Sequence, residues 1–477
     1  MKDILIFLSD QHSPLFSEFA GGMARTPNLN RLCAEGVSFE SCQTPCPLCV
    51  PARMAMLSGR LPSETGVMLN LDTLPDLTPT FLHPFAAAGY DTVLIGRMHF
   101  IGRDQRHGFT RRLAQDMTPV TWNRPEERLT KERGVFHGTY DARGCVRVIG
   151  GGDSPVLRYD ETVVQAALDY LSLPHERPQL IVVGTYAPHF PYVAPSELYR
   201  EYRAQVKLPP MFHETPDDMN PLLVARKNVV GEDTALAAQA AYLGMITYTD
   251  GLVGRVRAAF DRFTAARGSE GLFGYCSDHG DQVGMRDLFG KCTFYEPSVR
   301  VPLILAGAGL PASEKRGEAC SLIDLGPTLC AWAQVGAPMG GGADLLSDAG
   351  RAPERIVVSQ MMEQENGVFR TGLMLRKGRW KYIVYSGYED QETLFDLQND
   401  PMERVNRALE EPDVTAAFRE YAKERFPFAG IEREQEERRK MARWMQAWER
   451  LAGEDDSERW KGNTAKDYPE LREGAMP

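Results

Sequence analysis

The sequence predicts an α/β protein: a large, mostly parallel sheet sandwiched by helices, followed by a small C-terminal antiparallel α+β subdomain. Three observations carry this expectation. Short apolar runs bounded by turn or polar residues recur along the first 350 positions. Helical patterns separate those runs, and strands that alternate with helices build parallel sheets covered on both faces. Beyond about residue 350 the alternation gives way to strand-like runs joined only by turns.

The elements follow in order. DILIFLSD (3–10) is a short apolar run closed by Asp10, as a buried strand would be. TPNLNRLCAEGVSF offers Thr26 as N-cap, Pro27 at the first helical position and Gly36 as a stop, which predicts a helix. YDTVLIG (90–96), QLIVVGTY (179–186), LFGYCSD (272–278) and VPLILAG (301–307) are further strand candidates. ETVVQAALDYLS (161–172) and residues 239–263 read as helices between them. RIVVSQM, RTGLMLRKGRWKYIVYS and ETLFDLQND predict the small antiparallel sheet. The expected division is a catalytic α/β domain over 1–350, the small subdomain over 351–430 and a charged helical extension and tail over 431–477. In that extension Met441, Trp444, Trp448 and Leu451 share one stripe, which packs on its own domain or meets a second copy of the chain.

Composition narrows the function. The chain has 477 residues and a net charge of −11, which argues against a nucleic-acid partner. No run approaches the roughly 20 apolar residues of a membrane span. The N-terminus lacks the long apolar stretch and cleavage site of a leader, so a cytoplasmic location is expected. A periplasmic or secreted location is the alternative if a leader preceded Met1. Nine cysteines, scattered and odd in number, fit a reducing compartment better than a disulfide framework.

In open α/β sheets, ligand-binding groups collect beyond the carboxyl ends of strands. That rule selects Asp10 and Gln11, then Arg97 and His99, then His189, then Asp278 and His279. Asp10, Gln11, Asp278 and His279 offer a mostly oxygen donor set for one divalent cation. Such sets suit Ca²⁺, Mg²⁺ or Mn²⁺, and the single imidazole leans toward Mn²⁺. Arg53, Arg97 and Lys291 add positive charge. A cation site, several fixed positive charges and spare histidines point to hydrolysis or transfer at a phosphoryl or sulfuryl centre.

CPLCVPAR (46–53) contains a Cys-x-x-Cys spacing. A zinc half-site needs a second pair of matching spacing, which the other cysteines do not provide. A redox pair should open a helix, and Val-Pro after the second cysteine lets a helix begin only around Pro51. The longer string CVPARMAMLSGR (49–60) resembles the signature of type I sulfatases, enzymes of the alkaline phosphatase superfamily. The resemblance continues in family order through SDQ, GRMH, HFPY at His189, SDHGD, KCTFYEPSVRVP (291–302) and LFDLQNDPMERVN, over roughly residues 3–406. PLCVPARMAMLSGRLPSETGV and GRMHFIGRDQRHGF are especially similar to the choline-sulfatase-like branch. The Asp-Gln and Asp-His variants also fit phosphonate monoester hydrolases and several carbohydrate sulfatases.

The resemblance implies an alkaline phosphatase-like fold and oxidation of Cys49, not Cys46, to Cα-formylglycine by a formylglycine-generating or radical maturation enzyme. Hydrated to a diol, the aldehyde would attack sulfur and then eliminate sulfate. It further implies a divalent cation, Ca²⁺ first with Mn²⁺ or Mg²⁺ as alternatives, held by Asp10, Gln11, Asp278, His279 and the converted Cys49. Arg53 would orient the diol, Lys291 and His189 would contact sulfate, His189 or Lys291 would protonate the leaving oxygen, and His99 would be the base of the elimination. Arg97 departs from the family's lysine: it either clamps sulfate or serves another purpose. Ala52 stands where serine is commoner. Asn70, His107 and Trp122 fall in loops near the active-site end and are the candidate substrate contacts, Trp122 by cation–π attraction. The expected function is hydrolysis of an O-sulfate ester of a small sulfated molecule. A phosphonate monoester or phosphodiester hydrolase on the same site is the alternative, and a Cys-x-x-Cys redox or zinc module a remote one. The ending DYPELREGAMP does not match the subunit-reaching segment of the choline branch.

Overall fold

A computed structural model describes residues 1–118, 145–336 and 340–452. Its centre is an eight-stranded sheet. The strands are β1 (Lys2–Asp10), β2 (Val37–Phe39), β3 (Asp91–Gly96), β4 (Arg111–Leu113), β5 (Gln179–Pro188), β6 (Glu270–Ser277), β7 (Leu303–Gly307) and β8 (Glu314–Arg316). Their order is β8-β2-β7-β6-β1-β5-β3-β4. Every pair is parallel except the two that β7 makes with β2 and β6.

The strand period of two splits each apolar run between two cores. On β1, Ile4, Ile6 and Leu8 face one core while Leu5 and Phe7 face the other. Leu180 and Val182 on β5 alternate in the same way with Ile181 and Val183. The first core is closed by α1 (Cys49–Ser58) and by α2 (Leu325–Ala333), through Met54, Leu57 and Leu329. The second is closed by α3 (Pro155–Ser172) and α4 (Glu232–Arg267), through Val163, Ala167, Met245 and Val256. Each such apolar side chain, buried on both sides of the sheet, contributes about 1.5–3 kcal/mol. This is the physical reason that the central strands are apolar throughout.

The helix that begins the signature starts at Cys49, two residues before the expected Pro51. Proline is tolerated in the first turn because its missing N–H would have had no partner there. Asn70 Oδ1 accepts the Val50 N–H at 2.9 Å and so satisfies one of the helix's open donors. Gly59, at φ 68°, ends the helix in the left-handed conformation that glycine adopts without steric cost.

A four-stranded antiparallel meander follows: β9 (Val357–Glu365), β10 (Val368–Lys377), β11 (Trp380–Tyr385) and β12 (Thr393–Asp396). A buried Lys381 joins it to the main body by donating to Glu296 at 3.0 Å and Glu403 at 2.7 Å. Two helices, Pro412–Arg425 and Phe428–Ala452, complete the described chain. The second holds to the body near its start, where Gln435 Nε2 donates to Asp72 Oδ2 at 2.8 Å. Its stripe is not packed into a core: Met441, Trp444, Trp448 and Leu451 are all exposed, with Arg103 lying 4.2 Å over the Trp448 ring. Among the described residues no helix is long and apolar enough to cross a membrane.

Candidate active site and metal centre

Three parallel strands of the sheet and the start of α1 deliver their polar ends to one place. Asp10 closes β1, and Gln11 follows it at φ 67°. Asp278 and His279 follow β6, and His189 follows β5. Close approach between β3 and β5 requires glycine: a Cβ on Gly184 would lie 1.9 Å from the Arg97 carbonyl oxygen.

Cys49 lies at the centre. Its Sγ is 3.2 Å from His279 Nε2, 3.1 Å from Lys291 Nζ and 3.9 Å from Asp10 Oδ1. Burial and the Asp10 carboxylate push this thiol up, but Lys291 and His279 outweigh them and bring it below its ordinary value. Its place at a helix N-terminus acts in the same direction.

Arg53 is one helical turn beyond Cys49 and fully buried. Its Nε donates to Asp278 Oδ2 at 2.8 Å and its Nη2 to Asp10 Oδ2 at 3.0 Å. Burial alone would raise the Asp10 carboxyl. Arg97 above all, with Arg53 and Lys291, holds it well below the ordinary carboxylate range. His279 moves the opposite way to its burial, raised chiefly by the Asp278 carboxylate.

The donor set fits a divalent cation. One donor atom each from Asp10, Cys49, Asp278 and His279 lies within 4.8 Å of the other three, and all four residues are buried. Oxygen ligands about 2.3–2.6 Å from a calcium ion are at most about 5 Å from one another. Two carboxylates, one imidazole and the Cys49 position are therefore spaced for one ion. Gln11 adjoins the cluster: its N–H donates to Asp278 Oδ1 at 3.1 Å, while its Oε1 accepts from Lys291 Nζ at 2.9 Å. Lys291 also meets His189 Nε2 in a short contact, and His189 Nδ1 lies 2.6 Å from the Phe190 carbonyl, to which it donates.

Arg97 is 1% exposed and spends its fork on protein groups: Asp10, Asp116, Thr118 and His99. Asn70 contacts the site through the Val50 N–H. His107 is buried away from the cluster, packed on Phe100 with ring centroids 4.7 Å apart and paired with Asp104. Trp122 lies outside the described residues.

Two acids were not singled out from the sequence. Asp116, which follows β4, accepts from Arg97, Thr118 and the backbone of His99. Burial would raise its carboxyl, but Arg97 holds it far below the ordinary range. The strand-end rule that found Asp10 would have found it, had the short β4 been legible. Asp281 accepts from Gln11, Tyr192, Val283 and Gly290. It stands inside the SDHGD string but carries no metal spacing of its own.

Known proteins share sequence and fold with this chain. The family model described as "Sulfatase" matches residues 3–335, and one described as "N-sulphoglucosamine sulphohydrolase, C-terminal" matches 284–425. The chain is 33% identical over 429 residues to a choline-sulfatase of Rhizobium meliloti (strain 1021), covering 85% of this chain and 82% of that one. It is 26% identical to arylsulfatase K of Mus musculus, covering 82% and 73%. The fold is shared with a phosphonate monoester hydrolase from Silicibacter pomeroyi at TM-score 0.71, 21% identity and coverage of 89% and 95%. It is also shared with a 2-O GAG sulfatase at TM-score 0.69, 22% identity and coverage of 92% and 93%. The chain is a sulfuric ester hydrolase and belongs to the sulfatase family of the alkaline phosphatase superfamily.

Proposed function

We propose that the protein hydrolyses an O-sulfate ester of a small sulfated molecule, with Cys49 converted to Cα-formylglycine and one divalent cation at Asp10, Gln11, Asp278 and His279. The observation that carries this reading is the position of Cys49, whose Sγ lies among His279, Lys291 and Asp10 at 3.2, 3.1 and 3.9 Å. When bound, the cation supplies positive charge that polarises the reacting oxygens. The hydrated aldehyde supplies the attacking hydroxyl.

The chain's own residues do the rest. Arg53 links Asp10 and Asp278 and so fixes the two carboxylates relative to Cys49. Lys291 Nζ faces the Cys49 position, and the N–H that it directs at Sγ would turn to a sulfate oxygen. His189 accepts from Lys291 at Nε2 and donates to Phe190 from Nδ1, so it is neutral and holds Lys291 in line. Lys291 is then the nearest proton source for the leaving oxygen. Arg53, Lys291 and His189 surround the reacting centre in a site from which bulk water is excluded, where fixed charges act most strongly.

The choline-sulfatase relative supports testing choline sulfate first, followed by sulfated sugars and aryl sulfates. Peptide mass spectrometry across residues 49–53 tests the conversion of Cys49: an aldehyde is expected. A thiol in the active protein would overturn the proposed nucleophile. Turnover of matched aryl sulfate and phosphonate monoester substrates tests the reaction. A strong preference for the phosphonate would replace the sulfatase reading with its nearest rival.

A further inference from the structure

The lysine of the resembled motif is replaced by Arg97, and a guanidinium has five N–H donors and no acceptor. Its Nε donates to Asp10 Oδ2 at 2.6 Å, and its Nη1 donates to Asp116 Oδ1 at 3.1 Å and Thr118 Oγ1 at 2.7 Å. Its Nη2 lies 2.8 Å from His99 Nδ1. Because Nη2 can only donate, Nδ1 can only accept. The proton of the neutral ring is therefore on Nε2, which makes no hydrogen bond among the described residues.

Asp116 holds the same assembly from the other side. Its Oδ2 accepts the backbone N–H groups of His99 at 2.8 Å and Met98 at 3.3 Å. His99 has φ 59°, a left-handed conformation that a non-glycine residue keeps only where its surroundings impose it. Burial first, and then the charge of Arg97, also disfavour the imidazolium.

We propose that Arg97 and Asp116 are a positioning pair that locks His99 as the neutral Nε2–H tautomer, so that the ring can donate a hydrogen bond but cannot accept a proton. The resemblance implies a base at His99. With Nδ1 occupied by Arg97 and Nε2 protonated, the ring has no free lone pair with which to serve as one.

Two measurements test this. Long-range ¹H–¹⁵N correlation of histidine-labelled protein, with His99 assigned by its absence in H99Q, should show Nδ1 unprotonated and Nε2 protonated at neutral pH. A protonated Nδ1 would overturn the proposal. This readout needs no substrate, so it stands apart from the sulfatase reading, which is tested by turnover of sulfate against phosphonate esters. The second measurement compares H99Q with H99A on whichever ester the wild type cleaves, after thermal unfolding has shown both variants folded. Glutamine can donate from a similar position but takes no proton. H99Q should fall less than about tenfold in kcat and H99A by about 100-fold or more, the latter being the usual loss when a directed group is removed. Equal losses would overturn the donor role. D116N should lower kcat with KM little changed and mix the two tautomers in the spectrum. An unchanged spectrum with unchanged kcat would remove Asp116 from the pair.

Discussion

Arg53 Nε donates to Asp278 Oδ2 at 2.8 Å, and neither side chain is exposed to solvent. The same guanidinium reaches Asp10 at 3.0 Å, so one residue of the signature helix ties together the ends of β1 and β6. Removing one member of a buried ion pair leaves the other charge uncompensated, at a cost of about 3–5 kcal/mol. Arg53→Met should lower the unfolding free energy by that order in chemical denaturation. Arg53→Lys, with a single nitrogen, should keep more stability and still lose most activity, because it cannot bridge both acids. An Arg53→Lys enzyme with wild-type kcat would refute the bridging role.

Cys46 and Cys49 should differ sharply. Cys46 packs in the apolar cluster with Met219, Leu288 and Phe294, and burial keeps its thiol protonated. Cys46→Ser should retain activity within about threefold and lose stability modestly, as a small buried hydroxyl does. Cys49→Ser should abolish turnover, by about 1,000-fold or more if covalent catalysis at this position is lost. Steady-state kinetics and peptide mass spectrometry on both variants decide the point. Loss of activity in Cys46→Ser alone would revive the paired-cysteine reading.

Chelation should destabilise the protein. Asp10 and Asp278 are buried acids whose charge a cation would offset, and ligand present at 100 times its Kd stabilises by about 2.7 kcal/mol. The expected result is a lower Tm after treatment with a chelator and recovery with Ca²⁺, Mn²⁺ or Mg²⁺. The ion that restores both Tm and turnover at the lowest concentration identifies the metal. A Tm and kcat insensitive to chelation would argue against the centre.

Lys381 holds the antiparallel meander to the body. It is fully buried between Glu296 and Glu403. Lys381→Met leaves two carboxylates close together with less positive charge, at a cost of about 3–5 kcal/mol. Hydrogen exchange in residues 357–396 should accelerate more than exchange in the central strands. Uniform acceleration would mean that the two parts unfold as one unit.

His107 supplies a pH dependence. Burial lowers its pKa from the ordinary 6.5, against the opposing pull of Asp104. Below that value the unfolded chain binds a proton that the folded chain resists, so stability falls as pH falls from 6.5. One such group contributes at most about 1.4 kcal/mol per pH unit. His107→Asn, which tolerates the left-handed backbone at φ 43°, should flatten the Tm profile between about pH 7 and about pH 5. An unchanged slope would assign the acid sensitivity to other groups.

Much of the candidate site was legible because ligand-binding side chains in a parallel sheet follow strand ends. Asp10, His189, Asp278 and His279 were found in that way, from apolar runs alone. Arg53 and Lys291 came from strings whose order resembles a family. Asp116 was not seen because β4 has three residues, two of them arginines, and its pairing with β3 is decided by contacts from elsewhere. His107 lies in a loop near the expected place, but its ring turned into a local cluster on Phe100. The stripe of Met441, Trp444 and Trp448 has helical spacing, yet spacing does not say whether a surface exists to receive it.

The sequence by itself determined the layered α/β architecture, since strands buried on both faces leave no alternative to continuous apolar runs. It also placed Cys49, Pro51 and Arg53 together, because they alternate along five consecutive residues at the start of one helix. Only the tertiary structure decided what Arg97 does. An arginine four or five bonds from its backbone can turn toward a substrate or into the protein. Asp10 comes from the end of β1, and Asp116 and Thr118 from just beyond β4, and their acceptors meet around the guanidinium, beside the neighbouring His99, only when the sheet closes.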